Sequence, residues 1–318
     1  MSVRAARFHG WGAAPVVEDV PEPVREPGQV LVEVQAAAVA HLDATVSGGE
    51  FGMRPALPYI GGVEGAGIVL EADADGPPPG TQVLLRGGGL GVKRGGTWTE
   101  RVSVPARAAM PLARPLPPEI AATFFVPATT AYVALHDVAR LEPDEDVVVV
   151  GAAGAVGSMV VQQALAAGAR VTGVVGRAER AADVPEGASV LVSSDADAVS
   201  RLAADRSASL LVDTIGGQGL AERARWIRPG GRAVVIGYTA GTRTELDLPS
   251  WLLDDVSLLP VNMIRRERRA RELATELAGL LADGALRLAV ERFPLADAAK
   301  ALELLGAGRV RGRAVLIP

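Results

Sequence analysis

With 318 residues, the chain is long enough for two domains, each with its own core. Its 49% hydrophobic and 22% charged residues and formal net charge of -5 are ordinary for a soluble globular protein and speak against a nucleic-acid binder, which needs a stronger basic excess. The absence of cysteine excludes disulfides, thiol nucleophiles and every cysteine-containing zinc site, and His9, His41 and His136 show no metal-ligand spacing, so no metal is expected.

No apolar run approaches the roughly 20 residues that span a bilayer. The opening MSVRAARFHG lacks the apolar stretch of a signal peptide, so a cytoplasmic protein with no membrane association is expected.

Along the first ~120 residues, short β-like runs alternate with turn-forming clusters. Val30–Val34, Gly67–Leu70, Gln82–Leu85 and Thr97–Val104 read as strands. Pro21–Pro27, Gly61–Gly62, Gly76–Gly80 and Gly87–Gly91 read as turns. This predicts a small, irregular β-domain with loops long enough to line a site.

Near Leu116–Pro118 the texture changes to alternating strand and helix. Asp146–Val150 is a short continuous apolar run, and Gly157–Ala167 reads as a buried helix. Further strands are expected at Arg170–Val175, Ser189–Val192, Ser209–Asp213, Arg232–Ile236 and Val256–Val261. Continuous β-branched strands separated by helices imply a parallel sheet covered on both faces. Six such strands fit a doubly wound α/β dinucleotide fold.

The tail reads as a helix at Glu267–Leu281, a shorter one at Leu295–Leu305 and a closing strand at Gly312–Ile317. Two readings stand for the basic run Arg265–Arg271: an anion or nucleic-acid patch, or the solvated face of that first helix. Short charge runs are usually exposed faces, which favours the second.

The strongest local signal is Val147–Gly157, VVVVGAAGAVG: an apolar strand, glycines at 151, 154 and 157, then a helix. Gly151, Ala153, Gly154, Ala155, Val156 and Gly157 let the backbone approach a pyrophosphate, and the helix start offers free N–H groups. A plain strand–turn–helix packed on glycines is the competing reading. An NAD site usually carries an acid at the tip of the second strand to hold the ribose. Here Gly176 and Arg177 stand there, with Arg180 one turn on, and an arginine fork suits a 2′-phosphate. NADPH is therefore the expected cofactor. Asp213, Thr214, Ile236, Gly237 and Tyr238 end two later strands at the edge where ligands bind, although Asp213 reads equally as a cap or turn residue.

Several pieces in fixed order carry a resemblance: LPYIGGVEGAG (57–67), GTQV (80–83), PATTAYVAL (127–135), GAAGAVG (151–157), DTIGG (213–217), PGGRAVVIG (229–237) and the closing GRAVLIP. Together they resemble the medium-chain dehydrogenase/reductase superfamily, in its zinc-free quinone oxidoreductase branch. That resemblance implies a GroES-like β-domain over residues 1–122 and 264–318 and a Rossmann domain over 123–263, with the substrate cleft between them. It also implies Thr130 at the cofactor, and a homodimer paired through the last Rossmann strand near Val256–Val261.

Within this resemblance, the loop Ala38–Phe51 departs from pattern. Ala40 stands where asparagine is usual, Thr45 and Ser47 stand where tyrosine and arginine are often found, and Phe51 replaces another aromatic. Ala40, Phe51, Tyr59 and Tyr238 would then wall a less polar substrate cleft. His41, Asp43, Thr45, Ser47 and Tyr59 are the candidate proton donors or contacts, with a structural role weighed for His41 and support of the cleft for Glu64. Trp11 and Trp98 read as packing residues before cleft residues. The implied reaction is hydride transfer from NADPH to a small apolar electrophile, a quinone or α,β-unsaturated carbonyl. The alternatives are an NADPH-binding protein with a structural or regulatory role, and a biosynthetic enzyme that uses the cleft for a non-redox step such as cyclisation.

Overall fold

The computed structural model describes residues 1–318 and divides into two compact units: Met1–Phe125 with Ala278–Pro318, and Val126–Leu277. None of its helices is long and apolar enough to cross a membrane.

The first unit is built on β-structure. A seven-stranded sheet runs in the order Val290–Pro294, Arg313–Ile317, Gln29–Val39, Glu64–Glu71, Gln82–Arg86 and Ala109–Pro111, with Arg101–Pro105 also pairing Gln29–Val39. A three-stranded sheet places Ser2–Phe8 between Val16–Pro21 and Tyr59–Ile60. Alternate residues turn inward, as in Arg101–Pro105, where Val102 and Val104 are buried and their neighbours are not. The core collects Phe8, Val32, Leu85 and Trp98. Trp98 is fully buried and donates its indole N–H to the Ala38 carbonyl at 2.9 Å. The strand expected from Thr97 begins only at Arg101, and Thr97 and Trp98 are fully buried ahead of it.

The second unit is a six-stranded sheet in the order Ser189–Val192, Arg170–Val175, Asp146–Val150, Leu210–Asp213, Arg232–Val235 and Ser257–Pro260. All five neighbouring pairs are parallel. The central strand Asp146–Val150 buries four of its five residues because helices cover both of its faces, hence the unbroken valines. All six expected strands form, within one or two residues of the expected ends.

Helix Glu267–Ala282 buries Ala270, Leu273, Ala274 and Leu277, a helical apolar stripe. Its arginines lie on the outer face: Arg268 is 95% exposed and pairs with Glu272, Arg269 pairs with Asp137, and Arg271 with Glu267. The basic run is thus a solvated, ion-paired face. The expected domain limits shift. The first unit runs to Phe125 instead of 122 and resumes at Ala278 instead of 264. The start of the helix stays with the second unit because Arg269 is held by Asp137 at 3.2 Å and lies over the Tyr132 ring.

Candidate cofactor and substrate-binding residues

The glycine loop follows the central strand. Gly151 adopts φ +78°, open to glycine at little cost, and turns the chain into helix Ala155–Ala166. A Cβ at Gly157 would run into the Gly151 carbonyl oxygen, so only glycine lets the helix sit this close to the strand. Gly154 caps the helix without a side-chain hydrogen bond, leaving the amides of the first turn, from Ala155 on, without a capping acceptor. Gly154 is exposed and Ala155 and Val156 are half-buried, so these amides are accessible to an anion.

The other strand ends lie at the same edge. The Thr214 hydroxyl donates to the Val150 carbonyl at 2.8 Å, and a Cβ at Gly151 would strike that hydroxyl oxygen. Gly237 packs on the Thr214 carbonyl, and the Ile236 amide donates to the Asp213 carbonyl at 2.9 Å. Thr130 is buried on helix Phe125–Tyr132, which Gln163 ties to the helix after the glycine loop by donating to the Ala128 carbonyl at 3.0 Å. Tyr238 is 72% exposed on the following loop.

Asp213 is the turn residue of its two readings. Its fully buried carboxylate accepts from the amides of Ile215 and Gly216 at 2.9 and 2.8 Å and from Arg223 at 2.7 Å. It sets the shape of the loop Thr214–Gly217.

The two arginines after the second strand part company. Gly176 and Arg177 are exposed at the strand tip. Arg180 is turned inward: its Nη2 donates to the Ala153 carbonyl at 2.9 Å and its Nε to Asp183 at 2.7 Å. Arg180 therefore braces the glycine loop from within the segment expected to meet the 2′-phosphate. This role needs Ala153 brought beside residue 180, a contact across 27 positions with no local signal.

In the first unit, the departing loop forms helix His41–Ser47. Asp43 is buried there and accepts from the amides of Ala40 at 2.8 Å, Val63 at 3.0 Å and Gly62 at 3.2 Å. Burial pushes its carboxyl up to about 7, while the amides of Ala40 and Val63 oppose that shift. Its bonds make it a clamp between two loops, and Ala40 serves as the clamped cap. Thr45 donates to the His41 carbonyl at 3.0 Å, and the buried Ser47 hydroxyl donates to the Ala44 carbonyl at 3.2 Å. His41 is exposed, and its pKa is lowered by desolvation and by the charge of Arg313. Tyr59 is buried and stacks on Phe8 at 5.1 Å; burial and the nearby Asp43 charge push its hydroxyl pKa upward, so it stays neutral. Phe51 packs half-buried on the same core. Trp11 tilts against Tyr59 at 5.9 Å.

Glu64 is buried, and its partners come from distant parts of the sequence. It pairs with Arg86 and, at 3.0 Å, with Arg313, and Arg86 lies over the Phe125 ring. The closing GRAVLIP contained Arg313 in plain view, yet its partner lies 249 residues away.

Comparison with known proteins agrees with these features. Residues 26–114 match the family model of the alcohol dehydrogenase GroES-like domain, and residues 187–316 that of zinc-binding dehydrogenases. The chain is 26% identical over 329 residues to Quinone oxidoreductase 1 of Escherichia coli, covering 98% of each. It is 27% identical over 310 residues to a mycocerosic acid synthase-like polyketide synthase of Mycobacterium tuberculosis, covering 91% of this chain and 14% of that protein. The crystal structure of a Pseudomonas syringae quinone oxidoreductase superposes with a TM-score of 0.85 at 25% identity, covering 99% of this chain and all of that one.

The second of these family models carries zinc in its name. The donor set here does not fit that metal: the chain has no cysteine, and no three of its histidine, aspartate and glutamate side chains come together as ligands. A nicotinamide dinucleotide does fit. The glycine cradle, the uncapped first turn and the strand ends at Thr214 and Gly237 are the surfaces it requires.

Proposed function

The chain belongs to the medium-chain dehydrogenase/reductase superfamily, in its zinc-free quinone oxidoreductase branch, and is an oxidoreductase; from this premise we infer that it draws hydride from NADPH and delivers it to a quinone or an α,β-unsaturated carbonyl. The observation that carries the cofactor choice is the tip of strand Arg170–Val175, where Arg177 stands exposed and no carboxylate is present to repel a 2′-phosphate. The backbone of residues 151–157 would hold the diphosphate, with Arg180 keeping the loop in shape through the Ala153 carbonyl.

The bound cofactor supplies a hydride, and the chain supplies position. Thr214 and Gly237 fix the edge at which the nucleotide lies. An electrophilic acceptor needs little acid help, because negative charge delocalises onto its oxygen. The protein's proton inventory is consistent with such an acceptor. Asp43 is committed to three amides, Tyr59 stays neutral, and Thr45 donates within its own helix, which leaves water or the solvent-facing His41 to deliver the proton. The similarity to a polyketide synthase supports the enone side of this reading. Soluble, homodimeric operation in the cytoplasm completes the proposal, with the second copy paired at the open edge strand Ser257–Pro260.

The test is NADPH oxidation against a panel of quinones and enones, with Arg177→Ala as the control. Arg177→Ala is expected to weaken NADPH about tenfold or more and leave NADH nearly unchanged. Equal loss for both cofactors overturns the role of Arg177. Absence of NADPH oxidation across the panel overturns the reductase reading, and product without net oxidation points to a non-redox step.

A further inference from the structure

The first unit carries a cavity of about 360 Å³ whose lining includes Pro55, Pro58 and Ile60 beside three cations, Arg7, Lys93 and Arg94. No carboxylate lines it. Arg7 is already matched, by Glu18 at 2.7 Å. Lys93 and Arg94 are exposed, and no carboxylate lines the cavity beside them. The loop that presents them is fixed. The amides of Lys93 and Arg94 both donate to the Gly89 carbonyl, at 2.8 and 3.1 Å, and the amide of Gly96 donates to the Ile60 carbonyl at 2.8 Å. Two exposed positive charges therefore stand on a preformed backbone beside an apolar wall. A cavity of this size is at the small end of those that hold organic ligands.

We propose that this cavity binds a phosphate monoester carried on a short apolar chain. The dianion answers the two exposed cations, and its apolar body answers the proline and isoleucine wall. Two sources share that chemistry: a phosphate-bearing handle on the substrate itself, and a free effector. The inference goes beyond the hydride-transfer reading, and its binding test does not depend on that reading.

The test is calorimetric titration of the full chain with hexyl phosphate, inorganic phosphate and hexanol. Hexyl phosphate is expected to bind more tightly than inorganic phosphate, more weakly as salt rises, and hexanol not to register. The double variant Lys93→Ala/Arg94→Ala should lose about tenfold or more in hexyl phosphate affinity with an unchanged thermal midpoint. Lys93→Glu, which reverses one charge on the exposed loop, should lose at least as much. Hexyl phosphate bound equally by parent and double variant, or hexanol bound as tightly as hexyl phosphate, overturns the proposal. With an accepted enone, competitive inhibition by hexyl phosphate assigns the site to the substrate's own handle, and a changed rate at constant KM assigns it to a free effector.

Discussion

A carboxylate in a site-forming loop invites a chemical role, and Asp43 shows how burial and counted hydrogen bonds decide the matter. It is 3% exposed, and its oxygens accept from the amides of Ala40, Gly62 and Val63. An asparagine there would present N–H to at least one of those donors and leave a buried amide unsatisfied. Asp43→Asn is therefore expected to cost about 1–3 kcal/mol in denaturant unfolding and to leave NADPH affinity unchanged. Unchanged stability with a collapsed turnover number would instead make Asp43 a proton carrier. Asp213 follows the same logic with two amides and Arg223. Neither assignment was available from residue type, because an aspartate that organises a turn and one that touches a ligand read alike until the amides around it are placed. Arg177 and Arg180 make the same point: two arginines three positions apart, one at the solvent edge and one folded back on the loop.

Among the elements, the parallel sheet was the most legible and the irregular β-domain the least. Strands such as Asp146–Val150 and Leu210–Asp213 are runs of valine and leucine with glycine or aspartate at the end, and burial on both faces demands that composition. The hairpin Ser2–Phe8 with Val16–Pro21 leaves a faint pattern in the sequence because its inward positions include two alanines, which carry little apolar signal. Helix His41–Ser47 is equally faint because it is short and Asp43, its capping partner, lies inside it. At the opposite end of the parallel sheet from the glycine loop, Glu145 grips Arg232 with both oxygens, at 2.9 and 2.6 Å, and also accepts from Ser209. These contacts hold its pKa at about 2, against an ordinary 4.5. A carboxyl depressed on folding stabilises above its unfolded pKa and loses that contribution as pH falls through the folded one. The unfolding free energy is thus expected to drop between pH 4.5 and about 2, by an amount on the order of 3 kcal/mol from this group. Glu145→Gln should remove that acid-side slope. An identical acid titration of stability in the variant would show that the ion pair contributes nothing.

At the level of the whole molecule, several large apolar side chains of the second unit are left in water between residues 248 and 264. Leu252 is 72% and Leu253 83% exposed on helix Leu248–Asp254, and Ile264 is 86% exposed just beyond the open edge strand Ser257–Pro260. A clustered apolar patch at a sheet edge marks an association surface. Replacing both leucines, as Leu252→Asp with Leu253→Asp, is expected to convert a dimer to a monomer in sedimentation, with the monomer still folded. A parent chain that already sediments as a monomer would defeat the pairing proposed for this edge.

The strand Arg313–Ile317 lies inside the seven-stranded sheet, between Val290–Pro294 and Gln29–Val39, and Arg313 is one of the two partners of the buried Glu64. During synthesis on the ribosome, the first unit must therefore wait for residues 313–317, made long after its other central strands, before its sheet can close. The nucleotide-binding unit, contiguous in sequence, faces no such delay. Each nascent molecule thus passes through an interval in which the sheet edge at Gln29–Val39 is unpaired and Glu64 lacks Arg313, the period when a chaperone has most to protect.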